Sequence, residues 1–500
     1  MRSNGYNNLS ESHWIWAVVI ILLLAYGLRL TGLTSESLWI DEGYSLALAT
    51  HNIYEILQGT AADQHPPLYY LLLHLWLLVV KGKNSVFLLR YFSVLTGILS
   101  VASIAALGRS LLNRRAGFIA ALLVSCSPMH IWYSQEARMY ILLLFLTTIS
   151  AHGLWRLLLN RKGWSLFFIN SFLSLYTHYF SVIFLLFANT VALIRQVIAP
   201  NTKFLERWLI IQIMLFLGFG PWLPIAIYQA RYHQMKWIGP PTIERIGSTL
   251  FWMMLGDSQP QQNKLLSAGG LALLIIAIAW LICRAFTISY QVPLNYLFLL
   301  LWFVIPFGIV IIVSLEYPIF QPKQFLMLLS PLILLLSSAL TNLPRTFKLL
   351  IVMILGFFII SSLFSLYNTN TKHGWREVAS YIEGNYRPGD LLYLNPAAGM
   401  LPLDVYLHME IPYEGYPPGY DVIKGGWVGE TVTADIANQI MKALSTKYKR
   451  IWLVEFVPTF WDPEAQLVAW LEKHGTRLDE RDFQGVHVYL YDFQGQINSD

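Results

Sequence analysis

Two adjacent carboxylates, Asp41 and Glu42, stand in the stretch Leu38-Trp39-Ile40-Asp41-Glu42-Gly43-Tyr44-Ser45, just beyond the first long apolar segment of the chain. Acids this close to apolar surroundings must be solvated, paired or used, because an unpaired charge there is costly. A lone acidic pair is ordinarily a solvated loop. Here it has company in four other polar stretches, each at the edge of an apolar run: Asp63-Gln64-His65-Pro66-Pro67, Ser134-Gln135-Glu136-Ala137-Arg138-Met139-Tyr140, Thr177-His178-Tyr179 and the neighbourhood of Lys323. Taken singly, each has an ordinary structural explanation. Glu136 and Arg138 form an interfacial ion pair worth little if exposed. Pro66-Pro67 starts a helix. Lys323 snorkels at the membrane edge.

Together these residue types meet the needs of one reaction class, transfer of a sugar from a lipid-linked sugar phosphate. The phosphate calls for Arg, Lys or protonated His, with Arg best suited to bidentate contact. Arg138, Lys323 and His65 are the candidates, and they would also stabilise charge that develops on the departing phosphate. The attacking acceptor hydroxyl must lose a proton, and a carboxylate can take it without a metal. Asp41 is the expected base, and Glu42 is expected to hold Asp41 or Arg138 in place. Glu136 is read first as orienting Arg138, second as contacting sugar or acceptor. For His178, contact with the donor phosphate and capping of a turn between two helices stay open. Asp41 and Glu42 could touch a divalent metal, but no third ligand is evident and no Cys/His cluster has zinc spacing, so a metal-independent reaction is expected.

The elements that must position these residues are membrane helices. Of 500 residues 56% are hydrophobic and 13% charged, against about 45–50% and about 25% in soluble proteins. Mean hydropathy is +0.50, and the apolar residues come in long runs, so most of the chain is solvated by lipid. No basic stripe with interleaved aromatics points to nucleic acid. Cys126 and Cys283 lie in or beside apolar runs and read as small hydrophobes.

Candidate spans are Trp14–Leu33, Val86–Leu107, Ala116–His130, Met139–Leu158, Trp164–Tyr176, Phe180–Ile194, Trp208–Tyr228, Leu265–Leu281, Leu294–Leu315, Phe325–Leu340 and Leu349–Leu366. The basic loops at Arg109–Arg115, Arg156–Lys162, Arg195–Arg207, Arg284 and Arg345–Lys348 are placed in the cytoplasm by the positive-inside rule. The stretches around residues 41, 136, 178 and 323 then all fall outside. This alternation leaves one apolar segment too many, and Pro66–Val80, short and opened by two prolines, is assigned as a juxtamembrane helix on the outer leaflet. The expected topology is about eleven transmembrane helices with the N-terminus cytoplasmic. Residues 1–367 form the transmembrane domain and 368–500 an extracytoplasmic domain. In the latter, helices at Trp375–Gly384, Thr433–Leu444 and Pro463–His474 alternate with strands at Asp390–Leu394, Arg450–Phe456 and Gly485–Tyr491. That pattern suggests a small soluble α/β fold.

Trp39-Ile40-Asp41-Glu42, His65-Pro66-Pro67, Glu136-Ala137-Arg138-Met139-Tyr140 and Thr177-His178-Tyr179, in that order, resemble the motifs of GT-C-type membrane glycosyltransferases. This superfamily includes protein O-mannosyltransferases and lipid A aminoarabinose transferases. The resemblance covers roughly the first half of the membrane region. It implies a polyprenyl-phosphate-linked sugar donor, juxtamembrane helices in the first external loop, and Asp41 as catalytic carboxylate. One departure stands out: where relatives often carry Arg-Tyr before a proline in a late external loop, this chain has Pro322-Lys323-Gln324-Phe325, so Lys323 supplies the only cation there. The expected protein is thus an inverting glycosyltransferase of the plasma (inner) membrane. It acts on an acceptor hydroxyl of unstated protein, lipid or glycan outside the cell. Catalysis is assigned to Asp41 and Glu42, and substrate binding to His65, Glu136, Arg138, Tyr140, His178 and Lys323. The competing readings are a flippase for lipid-linked sugars, which should show paired halves or interrupted helices at the midplane, and a polysaccharide polymerase or ligase.

Overall fold

The computed structural model describes residues 11–82, 85–232, 238–255, 293–425 and 430–493, with positions 272, 275 and 279. The expected span Leu265–Leu281, Cys283 and the basic residue Arg284 lie outside the described residues. The chain divides into two compact units: residues 1–33, 64–72 and 90–369, and residues 34–63, 73–89 and 370–500.

The first unit is helical. In chain order its described helices are α1 (Glu11–Leu30), then, after α2 (Ile40–Ala49) and α3 (Ile53–Ala62) of the second unit, the start of α4 (Leu68–Val80). There follow α5 (Val86–Leu111), α6 (Arg114–Ser125), α7 (Pro128–Ser134), α8 (Tyr140–Leu158), α9 (Trp164–Leu175) and α10 (Ser181–Ile198). Next come α11 (Thr202–Phe219), α12 (Leu223–Tyr232), α13 (Ile243–Leu255), α14 (Leu294–Ser314), a 3-10 segment (Pro322–Leu328), α15 (Leu329–Asn342) and α16 (Arg345–Asn368). Among the described residues, 8 helices are long and apolar enough to cross a membrane, or 9 if the bent pair α6–α7 counts as one span. α9, at 12 residues, and α4, at 13, are apolar but shorter.

The sequence reads Ala116–His130 as one span, but the chain bends there by 62°. Pro128 lacks an N–H and cannot continue the preceding helix, whereas it suits the first turn of a new one. Ser127 caps that turn, its hydroxyl accepting from the backbone of His130. The break frees carbonyls at the end of α6, and the fully buried Arg29 takes them up, donating to Val124 O and Ser125 O at 3.2 and 3.0 Å. Arg29 also donates to His130 Nδ1 at 2.7 Å, and the far ring nitrogen of His130 reaches Ser100 Oγ at 2.7 Å. Bending the span at this point releases the chain after Ser134 into a buried turn that carries Glu136 and Arg138. Small residues let the helices approach: a Cβ on Gly117 would lie 2.7 Å from Ala105 O of α5. Hydroxyl pairs such as Thr148–Ser330 and Ser150–Ser171, both at 2.6 Å, join neighbours without unsatisfied groups.

The second unit holds the expected α/β domain. Its sheet has the order β2-β1-β3-β5-β4, with β1 (Asp390–Asn395), β2 (Tyr413–Gly415), β3 (Arg450–Phe456), β4 (Thr476–Asp482) and β5 (Val486–Asp492). β1 runs parallel to β2 and β3, while β5 is antiparallel to β3 and β4. The two-residue period of the strands splits the core between the two faces. Leu391, Tyr393, Ile451 and Leu453 pack under α19 (Ala434–Lys447) and α20 (Gln466–His474). Leu392, Leu394, Trp452 and Val454 pack under α17 (Trp375–Asn385) and α18 (Met400–Leu403).

The stretch after α1, residues 34–63, is built into this unit. Gly43 of α2 sits where a Cβ would lie 2.7 Å from Pro402 N. The Leu38 N–H donates to Tyr406 Oη at 2.8 Å, and Gly59 of α3 faces Val422 O at 3.0 Å from its notional Cβ. α3 starts on a capping box in which Asn52 and Glu55 exchange side-chain bonds with each other's backbone.

Candidate functional site

The candidate residues fall into two groups, one in each unit. In the first unit the structure brings together His65, Glu136, Arg138, Tyr140, His178 and Lys323. The turn between α7 and α8 is almost wholly buried: Glu136, Arg138 and Tyr140 are each under 5% exposed. The Arg138 N–H closes the turn on Glu136 O at 2.8 Å, and Arg138 Nη1 donates to Tyr70 Oη of α4 at 3.2 Å. Tyr140, in the first turn of α8, lies 5.8 Å from the ring of His178, and Lys323 Nζ stands 5.6 Å from the centre of the Tyr140 ring. The rings of His65 and His178 are 5.5 Å apart. Lys323 is set on the 3-10 segment, where Pro322 supplies the first-turn proline.

For His178 the structure shows one of the two roles left open by the sequence. It does cap its turn, for Nδ1 accepts the Phe180 N–H at 3.1 Å. That bond requires an unprotonated Nδ1, so the neutral ring carries its proton on Nε2. His178 Nε2 is buried and has no hydrogen-bond partner among the described residues. His178 lies in the turn between α9 and α10. Burial holds its imidazole well below the usual histidine range, and the positive charges of His65, Arg138 and Lys323 push the same way. The ring is thus a neutral donor with its N–H unspent, among cations. Other buried polar atoms without a partner include Oε1 of Gln321 and of Gln324, which flank Lys323, and the hydroxyl of Ser181. Native interiors leave few such atoms orphaned.

In the second unit Asp41 and Glu42 open α2. Asp41 is half-buried, and its carbonyl accepts the Ser45 hydroxyl at 2.9 Å. Glu42 is fully buried and its Oε2 lies 3.0 Å from Lys372 Nζ. Tyr420, from a loop after β2, faces the same charges: burial, then Asp63, Asp421 and Asp41, push its phenol far above the ordinary value. Among the described residues no three His, Cys, Asp or Glu side chains are gathered to hold a metal ion.

Sequence reasoning passed over Tyr70, Lys372 and Tyr420. Tyr69-Tyr70 was a visible signal, two phenols in an otherwise leucine-rich helix. Lys372 and Tyr420 carry no motif.

Residues 64–225 match the family described as dolichyl-phosphate-mannose-protein mannosyltransferase. No curated protein sequence matches the chain. Among solved structures, ArnT from Cupriavidus metallidurans in the apo state superposes with a TM-score of 0.60 at 13% identity, covering 96% of this chain and 98% of ArnT. The same enzyme bound to undecaprenyl phosphate gives 0.60 at 11% identity over the same shares of the two chains. The archaeal oligosaccharyltransferase AglB from Archaeoglobus fulgidus, in complex with an inhibitory peptide and a dolichol-phosphate, gives 0.59 at 12% identity, over 99% of this chain and 76% of AglB. The chain shares its fold with ArnT and AglB over nearly its whole length. The resemblance is borne out: its motifs at residues 65, 136 and 178 lie within the family match, which begins at residue 64, and the fold is shared over nearly the whole chain. Among the described residues 8 or 9 spans meet the length and hydropathy requirement, which makes the protein a multi-pass membrane protein.

Proposed function

We propose that the protein transfers a sugar from a polyprenyl-phosphate-linked donor to an acceptor hydroxyl at the external face of the plasma membrane, with inversion at the sugar carbon. The observation that carries this reading is the buried group in the first unit, where an unspent His178 N–H sits within reach of the charge of His65, Arg138 and Lys323. Charge-assisted hydrogen bonds from Arg, Lys and His suit a phosphate. A donor phosphate fits this group, and C. metallidurans ArnT and A. fulgidus AglB, which share the fold, have been captured with undecaprenyl phosphate and dolichol-phosphate.

In this reading Arg138, Lys323 and His65 neutralise the phosphate, and His178 donates one neutral hydrogen bond to it. Tyr140 packs between Lys323 and His178, and Glu136 shapes the turn that presents Arg138. Asp41 takes the acceptor proton as the acceptor oxygen bonds to the sugar carbon. The bond from that carbon to the phosphate oxygen breaks on the opposite side, and the leaving phosphate keeps its electron pair on the polyprenyl carrier. Charge grows on the phosphate as the bond breaks, so the cations hold the transition state more tightly than the ground state.

The topology goes with it: eleven spans, a juxtamembrane helix over Pro66–Val80, residues 1–367 as the membrane domain, a cytoplasmic N-terminus and residues 368–500 outside. Two contacts support the placement of the basic loops at one membrane face. Glu11 at the start of α1 pairs with Arg109 at 2.7 Å, and Arg195 Nη2 donates to Asn160 Oδ1 at 2.8 Å, tying the loop after α8 to the end of α10.

Lipid and glycan profiling of a strain lacking the protein tests the function. The expected result is accumulation of one polyprenyl-phosphate sugar and loss of that sugar from an envelope acceptor. No change in either pool, or movement of the donor across vesicles by the purified protein without transfer, would contradict it.

A further inference from the structure

Transfer by a single base does not require the arrangement found around Glu42. Glu42 is fully buried, and the Lys372 that meets it at 3.0 Å is only 10% exposed. A buried ion pair is weak evidence for stability, because desolvating two charges offsets most of their attraction. Its value lies in fixing geometry, and the surroundings of this pair are fixed on both sides. Glu36 accepts from Thr371, through both its N–H and its hydroxyl, and from the N–H of Lys372 at 3.2 Å. The Arg376 N–H donates to Ser37 Oγ at 3.1 Å, and Arg376 Nη2 donates to Thr34 O at 3.1 Å. Residues 34–42 and 371–376 are thus laced together, with the Lys372–Glu42 pair at the end nearest Asp41. Beyond it, Gly43 seats α2 against Leu401 and Pro402.

We propose that Lys372 is a positioning residue for sugar transfer: by pairing with Glu42 it cancels the charge beside Asp41 and locks the first turn of α2, so that Asp41 is held toward the acceptor hydroxyl. The proposal rests on the assignment of Asp41 as base. Without Lys372, Glu42 is a buried charge with its ammonium gone. The first turn of α2 then loses this anchor, and the Asp41 it carries shifts with it. A displacement of about 1 Å in a reacting group can cost about 100-fold in rate. The effect belongs in kcat, because Lys372 meets the neighbour of the base.

The test uses full-length protein in proteoliposomes, with the lipid-linked sugar isolated from a strain lacking the protein as donor. Lys372→Met is expected to lower kcat roughly 10- to 100-fold with donor KM within about threefold of wild type. Lys372→Arg is expected to recover most of the loss, since a guanidinium can still meet the carboxylate. The double variant Lys372→Met with Glu42→Gln is expected to outperform Lys372→Met at least about fivefold, because the buried carboxylate charge that Lys372 met is gone as well. It also covers the case in which Lys372→Met fails to fold. An unchanged kcat in Lys372→Met overturns the proposal, as does a raised donor KM at constant kcat, which would make Lys372 a phosphate ligand. A double variant no better than the single also overturns it. Asp41→Asn, run alongside, separates the two failures. If it stays active, the base assignment falls; if it is dead while Lys372→Met is fully active, only the role of Lys372 falls.

Discussion

Replacing His178 by Asn tests the donor-phosphate assignment at a single bond. The Phe180 N–H now donates to His178 Nδ1 at 3.1 Å, and an Asn side chain accepts from the backbone two residues on just as readily. The cap therefore survives, while the buried Nε2–H is removed. An unsatisfied buried donor costs about 1–3 kcal/mol. Its removal offsets the lost ring contacts, and stability should stay within about 1 kcal/mol of wild type. A hydrogen bond to a charged acceptor is worth about 1.5–3 kcal/mol, and about 1.4 kcal/mol is tenfold. Transfer assays against donor concentration should therefore show kcat/KM lowered roughly 10- to 100-fold. The same variant removes a pH effect. Folded His178 is held neutral by burial and by its cationic neighbours, while in the unfolded chain it gains a proton below about pH 6.5. The unfolded state then binds more protons, so wild-type stability falls as pH drops below that value, and His178→Asn should flatten this slope. Donor kinetics within twofold of wild type, in a variant that folds, would refute the placement of Nε2–H on the donor.

Three further outcomes follow from the contacts. Tyr70→Phe removes the acceptor that Arg138 Nη1 meets at 3.2 Å and should weaken donor KM about two- to tenfold in the same assay, as expected for one hydrogen bond. Gly43→Ala places a methyl group 2.7 Å from Pro402 N; it should destabilise by about 1–3 kcal/mol in thermal melts and lower transfer by tilting α2. In the tail, burial, with a smaller push from Asp462, raises the Glu455 carboxyl to about 7 despite its bond from Asn395. The folded form holds that proton between about pH 4.5 and 7 where the unfolded chain does not, so stability falls as pH rises through this window. Glu455→Gln, which mimics the neutral form, should melt higher than wild type at pH 8, by up to about 3 kcal/mol.

The membrane architecture was legible because length and hydropathy alone decide whether a segment can span. Apolarity could not show the break after Cys126, which depends on Ser127, Pro128 and a buried arginine about a hundred residues earlier. In the tail, β5 announced itself by alternation, and β1 and β3 by short apolar runs buried along their whole length. β2 has only three residues, and β4, Thr-Arg-Leu-Asp-Glu-Arg-Asp, is a polar, exposed edge with no apolar face to detect. At the site, residue type pointed to His65, Arg138 and Lys323 because cations beside apolar runs are unusual. Spacing could not show that 65, 140, 178 and 323 converge, and Lys372 had no signal, being one lysine in a polar stretch. Its partnership with Glu42 exists only because residues 34–63 and 370–500 fold into one unit.

The central claim is that Asp41 takes the acceptor proton. The direct measurement is single-turnover transfer by Asp41→Asn in proteoliposomes, with donor binding followed separately. General bases contribute about 10²–10⁴-fold. The account predicts a loss of that size with donor affinity within about threefold of wild type. Transfer by Asp41→Asn within about threefold of wild type would contradict it.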